Sequence, residues 1–366
     1  MKILGISPLD KDATASIVED GEILFAAGEE RFSRNKQQDG FPLQAIQQAL
    51  SYTNTKIEEI DMVVYPFMEA KDELKLINKN LKNEADFIKS FTRTNLKPLL
   101  SKAEKMVPRR HDHIHGLALP NEKMEKSFLY DTFYNLAGSQ AAVSSKAALK
   151  GSRNWADQAS ASFTRLQDEL ETGLEQIGLG NKLKRMDHHL SHAANSYFAS
   201  GYERALCITL DGYGTGLAGS VSEASGGKIK RLHGVDYPNS LGTLYEHVTS
   251  SLGFKPSRHE GKIVGLASYG DPDILSPLLL SRIEQKDGDF RIFEANNVYF
   301  SRYLASHFPK IDVAAAYQHV LEVVAARFVK YWVDKTGIDT VVLSGGVTAN
   351  VKLNQRIFEI DGVNHI

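Results

Sequence analysis

Two histidines four residues apart, His188 and His192, sit in the run Met186-Asp187-His188-His189-Leu190-Ser191-His192-Ala193-Ala194-Asn195. In a helix, residues at i and i+4 leave the same face one turn apart. Two neutral imidazoles so placed can share one borderline metal ion, with Zn, Fe and Mn all suited to ring nitrogens. Such a pair still needs a carboxylate. Asp211 offers one in Leu210-Asp211-Gly212-Tyr213-Gly214, where an apolar run ends in glycines. The local sequence favours a helix, because Asp187 is a good N-cap and Gly201 a good stop. The plain alternative is a helix whose histidines only pack or face solvent.

Three other stretches carry residues suited to an anion. In Asp211-Gly212-Tyr213-Gly214-Thr215-Gly216, small residues let successive backbone N–H groups converge. These glycines join strand to strand, and their spacing fits neither a dinucleotide fingerprint nor a Walker loop. Ser344-Gly345-Gly346-Val347-Thr348-Ala349-Asn350 leads into a helix, whose first amides can hold a phosphate or an adenosine edge. In His259-Glu260-Gly261-Lys262, Lys262 would meet phosphate and Glu260 a ribose or an acceptor hydroxyl. The ordinary explanations are a hairpin turn, a helix entry and a solvated loop before a strand. Two glycine loops at equivalent ends of duplicated halves count for more than either alone. His111, His113 and His115, in a basic loop, read as exposed, with metal binding as the alternative.

The elements that must position these groups form a pattern stated twice. Strands are expected over 2–7, 13–18 and 22–28, with a hairpin signal at Asp20-Gly21, then a helix over 42–52 and a strand over 61–66. The theme returns as strands over 205–211, 217–223 and 228–235, helices over 241–252 and 312–335, a strand over 340–346 and a helix over 347–359. Two such halves facing each other would make a cleft, each lending it the loop between its first two strands. The expected division is 1–67 for the first half, 68–180 for a mainly helical, polar insertion, and 181–366 for the second half.

The 366 residues suit two domains or one large α/β body. A net charge of −2 gives no reason to expect nucleic acid or an anionic membrane as a bulk partner. No run approaches the roughly 20 apolar residues of a membrane span. The single cysteine, Cys207, lies in an apolar run and reads as a buried thiol, which fits a reducing cytoplasm. Pro8 and Asp10 interrupt the N-terminal apolar stretch too early for a signal peptide.

Assembled, these residues resemble the carbamoyltransferase family that includes the nodulation and antibiotic-tailoring O-carbamoyltransferases. The likeness is carried by Gly21-Glu22-Ile23 through Glu29-Glu30-Arg31-Phe32-Ser33-Arg34, by Asp187 through Ala193, by Glu260 through Ala267, and by Leu343 through Asn350 with Asn354. It implies a Kae1-like domain of the actin/sugar-kinase/Hsp70 superfamily, with duplicated βββαβα halves. It assigns one metal ion, Fe(II) by analogy and Zn or Mn otherwise, to His188, His192 and Asp211. It implies that carbamoyl phosphate and ATP, with Mg as a companion ion, give carbamoyl-adenylate, whose carbamoyl group passes to a hydroxyl of a sugar or natural product. Gly212, Tyr213, Gly214, Gly345, Gly346 and Asn350 would line the nucleotide, and Asp12, Glu260 and Lys262 would serve catalysis. A YrdC-like domain, in the same chain or in trans, would make the adenylate. The chain departs from the family pattern at Lys11-Asp12, where a His-Asp pair is common, and at Gly261, where tyrosine is common. It ends at Asn364-His365-Ile366, before the Gly-Asp-Gly loop and YrdC-like domain expected next. The other readings are threonylcarbamoyl transfer to tRNA and a non-catalytic nucleotide-binding subunit of a split enzyme.

Overall fold

The computed structural model describes residues 1–107, 132, 136, 138 and 142–366. His111, His113 and His115 lie outside the described residues. In chain order the elements are β1 (Lys2–Ile6), β2 (Thr14–Glu19), β3 (Glu22–Gly28), α1 (Glu30–Ser33), α2 (Leu43–Tyr52), β4 (Met62–Tyr65), α3 (Ala70–Ser90), α4 (Leu96–Met106), α5 (Ala142–Gln176), β5 (Leu183–Arg185) and α6 (His188–Ser200). Then follow β6 (Arg204–Gly214), β7 (Leu217–Ser225), β8 (Lys228–Asp236), α7 (Leu241–Ser251), α8 (Glu260–Ala267), α9 (Ser276–Leu280), β9 (Ile283–Lys286), β10 (Asp289–Ile292), α10 (Val298–His307), α11 (Lys310–Thr336), β11 (Val341–Ser344) and α12 (Val351–Phe358).

The chain forms two compact units, Met1–Leu76 with Trp155–Ser191 and Ile77–Asn154 with His192–Ile366. This differs from the division expected at 67/68 and 180/181, and α5 shows why. Leu166, Leu170 and Leu174 recur every four residues along it and are buried in the core of the first unit. Earlier in the same helix, Ala148 is buried with Phe87, Ile88 and Phe293 of the second unit. One polar-looking helix thus serves two cores.

The first unit holds a five-stranded sheet in the order β3-β2-β1-β4-β5. β1, β2 and β3 run antiparallel, whereas β4 runs parallel to β1 and β5 parallel to β4. Asp20 and Gly21 both take left-handed backbone, at φ 50° and 94°, as a two-residue hairpin between right-twisted strands requires. Alternate residues Leu4, Ile6, Ala15, Ile17, Val63 and Tyr65 are buried, and Ala45, Ile46 and Ala49 of α2 are buried with them. The Glu29 carboxylate, itself buried, accepts the backbone N–H groups of Gln44 and Ala45 at 3.1 and 2.7 Å. That fixes the start of α2 and gives a structural reason for an acid in the Glu29–Arg34 motif.

The second unit repeats the plan in a four-stranded sheet, β11-β6-β7-β8. Again the first three strands are antiparallel and the fourth, β11, lies parallel beside the first, β6. A parallel bridge from Thr340 to His365 lies beyond β11 at the station that β5 holds beside β4. The βββαβα arrangement thus occurs twice in the chain. The second copy is elaborated between α7 and β11 by α8 to α11 and by the antiparallel hairpin β9–β10. Its core is built on α11, where Val313, Ala316, Tyr317, Val320, Val324 and Phe328 are buried. Cys207 is fully buried in β6, and burial pushes its thiol up to about 12, so it is unreactive. Among the described residues, no helix is long and apolar enough to cross a membrane.

Candidate metal centre

α6 begins where the capping residue dictates: the Leu190 N–H donates to Asp187 Oδ1 at 2.7 Å. It ends at Ser200, followed by Gly201 at φ 76°, a left-handed position that glycine fills without a Cβ penalty. His188 and His192 therefore leave one face of a single continuous helix. One potential ligand atom from each of His188, His192 and Asp211 lies within 4.8 Å of the other two. Among the described residues no other trio of His, Cys, Asp or Glu is grouped in this way.

Each member of the trio also has a contact outside it. His188 is buried, with Nδ1 3.2 Å from the Pro66 carbonyl oxygen and its ring 4.6 Å from that of Phe67. A carbonyl only accepts, so Nδ1 carries the proton and Nε2 keeps its lone pair. His192 Nε2 donates to Asp211 Oδ2 at 2.9 Å, and its Nδ1 lies 3.1 Å from Ser344 Oγ. Asp211 Oδ1 accepts the Gly212 N–H at 2.7 Å. The Asp211 carbonyl accepts from Ser240 Oγ at 2.7 Å, and that same oxygen caps α7 by accepting the Thr243 N–H at 3.0 Å. With side chains 27 % and 21 % exposed, His192 and Asp211 are open to an ion or substrate. Two imidazoles and a carboxylate, with two rings anchored through their far nitrogens, form a donor set that fits a divalent transition metal.

Glycines make the close approach possible. A Cβ on Gly242, in the first turn of α7, would stand 2.9 Å from the Gly212 nitrogen. One on Gly346 would stand 3.1 Å from Asp211 Oδ1. Gly345, at φ 96°, could not carry a Cβ at all, because it would run into the Leu210 carbonyl oxygen.

The remaining expected site residues are distributed unevenly. The two glycine loops do not belong to opposite halves: both lie in the second unit, at the ends of the paired strands β6 and β11. Asp211 to Gly214 is not a free loop either, since β6 continues to Gly214, where pairing with β7 resumes at Leu217 after an irregularity. The turn is made after it, by Thr215 and Gly216, at φ 48° and 76°. The Gly212 N–H is committed to Asp211. Tyr213 stands edge-on to Tyr237, ring centroids 5.3 Å apart. Asn350 caps α12 through the Leu353 N–H at 3.1 Å and donates to Gln318 Oε1 at 2.8 Å. Glu260 and Lys262 lie on a helix, α8, rather than in a loop before a strand. Glu260 Oε1 accepts the Ser257 N–H at 2.6 Å, and exposed Lys262 holds Nζ 5.6 Å from the Phe254 ring centroid. Asp12 is exposed, at φ 49°, with its carbonyl accepting from Thr14 Oγ1 at 2.8 Å.

Two residues were not singled out from sequence. Ser344 meets His192, and its position directly before the glycine pair is the signal that marks it. Asp10, in the same β1–β2 loop as Asp12, has its carboxyl raised by desolvation, an effect opposed by Lys11 and by nearby His188. No periodicity points to it.

The family described as Carbamoyltransferase N-terminus matches residues 2–365. An uncharacterized protein of Synechocystis, sll1178, is 27 % identical over 97 % of this chain and 52 % of its own length. The nodulation protein NolNO of Sinorhizobium fredii is 26 % identical over 94 % of this chain and 42 % of its own length. A nodulation protein of Bradyrhizobium diazoefficiens, NolO, is 32 % identical over 47 % of this chain and 33 % of its own. The chain spans about half the length of the first curated relatives it matches.

Proposed function

The chain belongs to the carbamoyltransferase N-terminus family, and from that premise we propose that it transfers a carbamoyl group from carbamoyl-adenylate to a hydroxyl of a sugar or natural product. The observation that carries the reading is the convergence of His188, His192 and Asp211 within 4.8 Å. These residues would hold one divalent ion, Fe(II) or alternatively Zn or Mn. When bound, such an ion supplies a Lewis acid for phosphate or carbonyl oxygen.

The protein's own groups do the rest. The acceptor oxygen attacks the carbamoyl carbon, the bond from that carbon to the adenylate oxygen breaks, and AMP leaves. The acceptor proton passes to a carboxylate of the β1–β2 loop. Asp12 is the residue the sequence pattern points to, while desolvation, which raises the Asp10 carboxyl, supports Asp10 as the stronger base. Gly346, exposed beside Asp211, gives the adenylate a surface free of side chains. Lys262 adds positive charge for its phosphate. ATP and carbamoyl phosphate are consumed upstream, in a YrdC-like domain or partner that makes the adenylate.

The test is to supply the chain with pre-made carbamoyl-adenylate, a metal ion and a panel of sugar alcohols, and to follow carbamate ester and AMP by mass spectrometry. Ester formation that His192→Ala abolishes supports the reading. Full transfer by His192→Ala contradicts it. Nucleotide binding without transfer to any hydroxyl would favour a non-catalytic subunit, and transfer to tRNA the threonylcarbamoyl reading.

A further inference from the structure

We propose that Ser344 is the positioning residue for His192, holding the ring through Nδ1 in either tautomer and so raising the affinity of the trio for its ion. The inference rests on the metal-site reading above and deepens it. Its basis is a pair of contacts on opposite sides of the His192 ring, Asp211 Oδ2 on Nε2 at 2.9 Å and Ser344 Oγ on Nδ1 at 3.1 Å.

Those two contacts need different proton arrangements in the two states. Without an ion, Asp211 can only accept, so Nε2 carries the proton and Nδ1 must accept from the Ser344 hydroxyl. Were an ion held on Nε2, Nδ1 would carry the N–H and Ser344 Oγ would accept it. A hydroxyl is both donor and acceptor and can rotate, so it satisfies either tautomer without moving an atom heavier than hydrogen. A carbonyl, as at His188, could satisfy only one.

The preference is not neutral between the states. An imidazole N–H becomes more acidic when the other nitrogen binds a cation, so its hydrogen bond to Oγ strengthens on binding. Ser344 is therefore worth more with the ion present than without. It is also held still. It is buried near the end of β11, paired in register with Thr209 of β6, and followed by Gly345, whose φ of 96° and contact with Leu210 leave the backbone no slack. The next residue, Gly346, abuts the Asp211 carboxylate. One tripeptide thus lies beside both His192 and Asp211.

The experiment measures Co(II) affinity of the 366-residue chain by visible absorption and dye competition, with thermal melts alongside to separate binding from folding. Ser344→Ala is expected to weaken Co(II) about tenfold, the low end for an outer partner of a metal-bound histidine. Ser344→Thr, which keeps the hydroxyl, should bind Co(II) nearly as the parent does. Ser344→Val, the same shape without the hydroxyl, should match Ser344→Ala. His192→Ala should abolish binding at the site. If Ser344→Ala and Ser344→Val bind Co(II) like the parent while His192→Ala does not, the positioning role is wrong and the metal site stands. If His192→Ala also binds Co(II) unchanged, both fall.

Discussion

The ends of β1 and β6 occupy the same station in the two sheets, each the first strand and each flanked by an antiparallel second and a parallel fourth strand. Their treatment is opposite. Past Leu210, Asp211 is gripped by the Gly212 N–H, by Ser240 and by His192, with Gly242 and Gly346 close by. Past Ile6, the loop leaves Asp10 and Asp12 both exposed, Asp12 on a left-handed backbone. Duplicated topology supplies two equivalent places. Small residues and caps decide which becomes a rigid ligand and which stays free to meet a substrate.

The harshest way to break this contrast is Gly345→Ala. It forces a side chain into left-handed backbone and against the Leu210 carbonyl oxygen, so stability should fall by more than about 3 kcal/mol in urea melts. Near-normal stability would mean that the β11 turn does not pin the Asp211 side of the comparison.

A second effect of similar scale concerns a carboxylate that the second unit buries without using it at the trio. Burial pushes Glu84 up from its ordinary 4.5 to about 7, reinforced by Glu294 and opposed by Ser152. An acid raised in the fold binds more protons folded than unfolded, so its contribution is full below about 4.5 and is lost as pH rises towards 7. The loss is on the order of 3 kcal/mol. Melts at acid and neutral pH should show it in the parent and not in Glu84→Gln.

The smallest effect sharpens the β1 side. Asp10→Asn should slow transfer by about a hundredfold, in the range for a general base, and Asp12→Asn by less than about tenfold. Equal losses would remove the distinction between the two acids. Metal affinity should be unchanged in either variant, since neither residue belongs to the trio.

Much of this arrangement could be read in the chain. Alternating apolar residues and the Asp20-Gly21 pair marked the first hairpin, and Asp187 and Gly201 bounded α6 to the residue. The His188–His192 spacing and Asp211 were legible as types, and their convergence is a property of the fold. What escaped did so for physical reasons. Gly261 and Gly265 weaken the helical signature of α8, so tertiary packing on α11 decides its form. Leu166, Leu170 and Leu174 form a stripe too short to betray that α5 changes core halfway along. Asn350 and Glu260 also accept backbone N–H groups, a local role that no spacing announces.

The central claim is that His188, His192 and Asp211 hold one ion together. Its most direct test is the metal content of the chain after reconstitution with Fe(II) or Co(II), measured for the parent and for His188→Ala, His192→Ala and Asp211→Ala. The account predicts one ion per parent chain and loss of that ion in each variant. Stoichiometric metal retained in all three variants would contradict it.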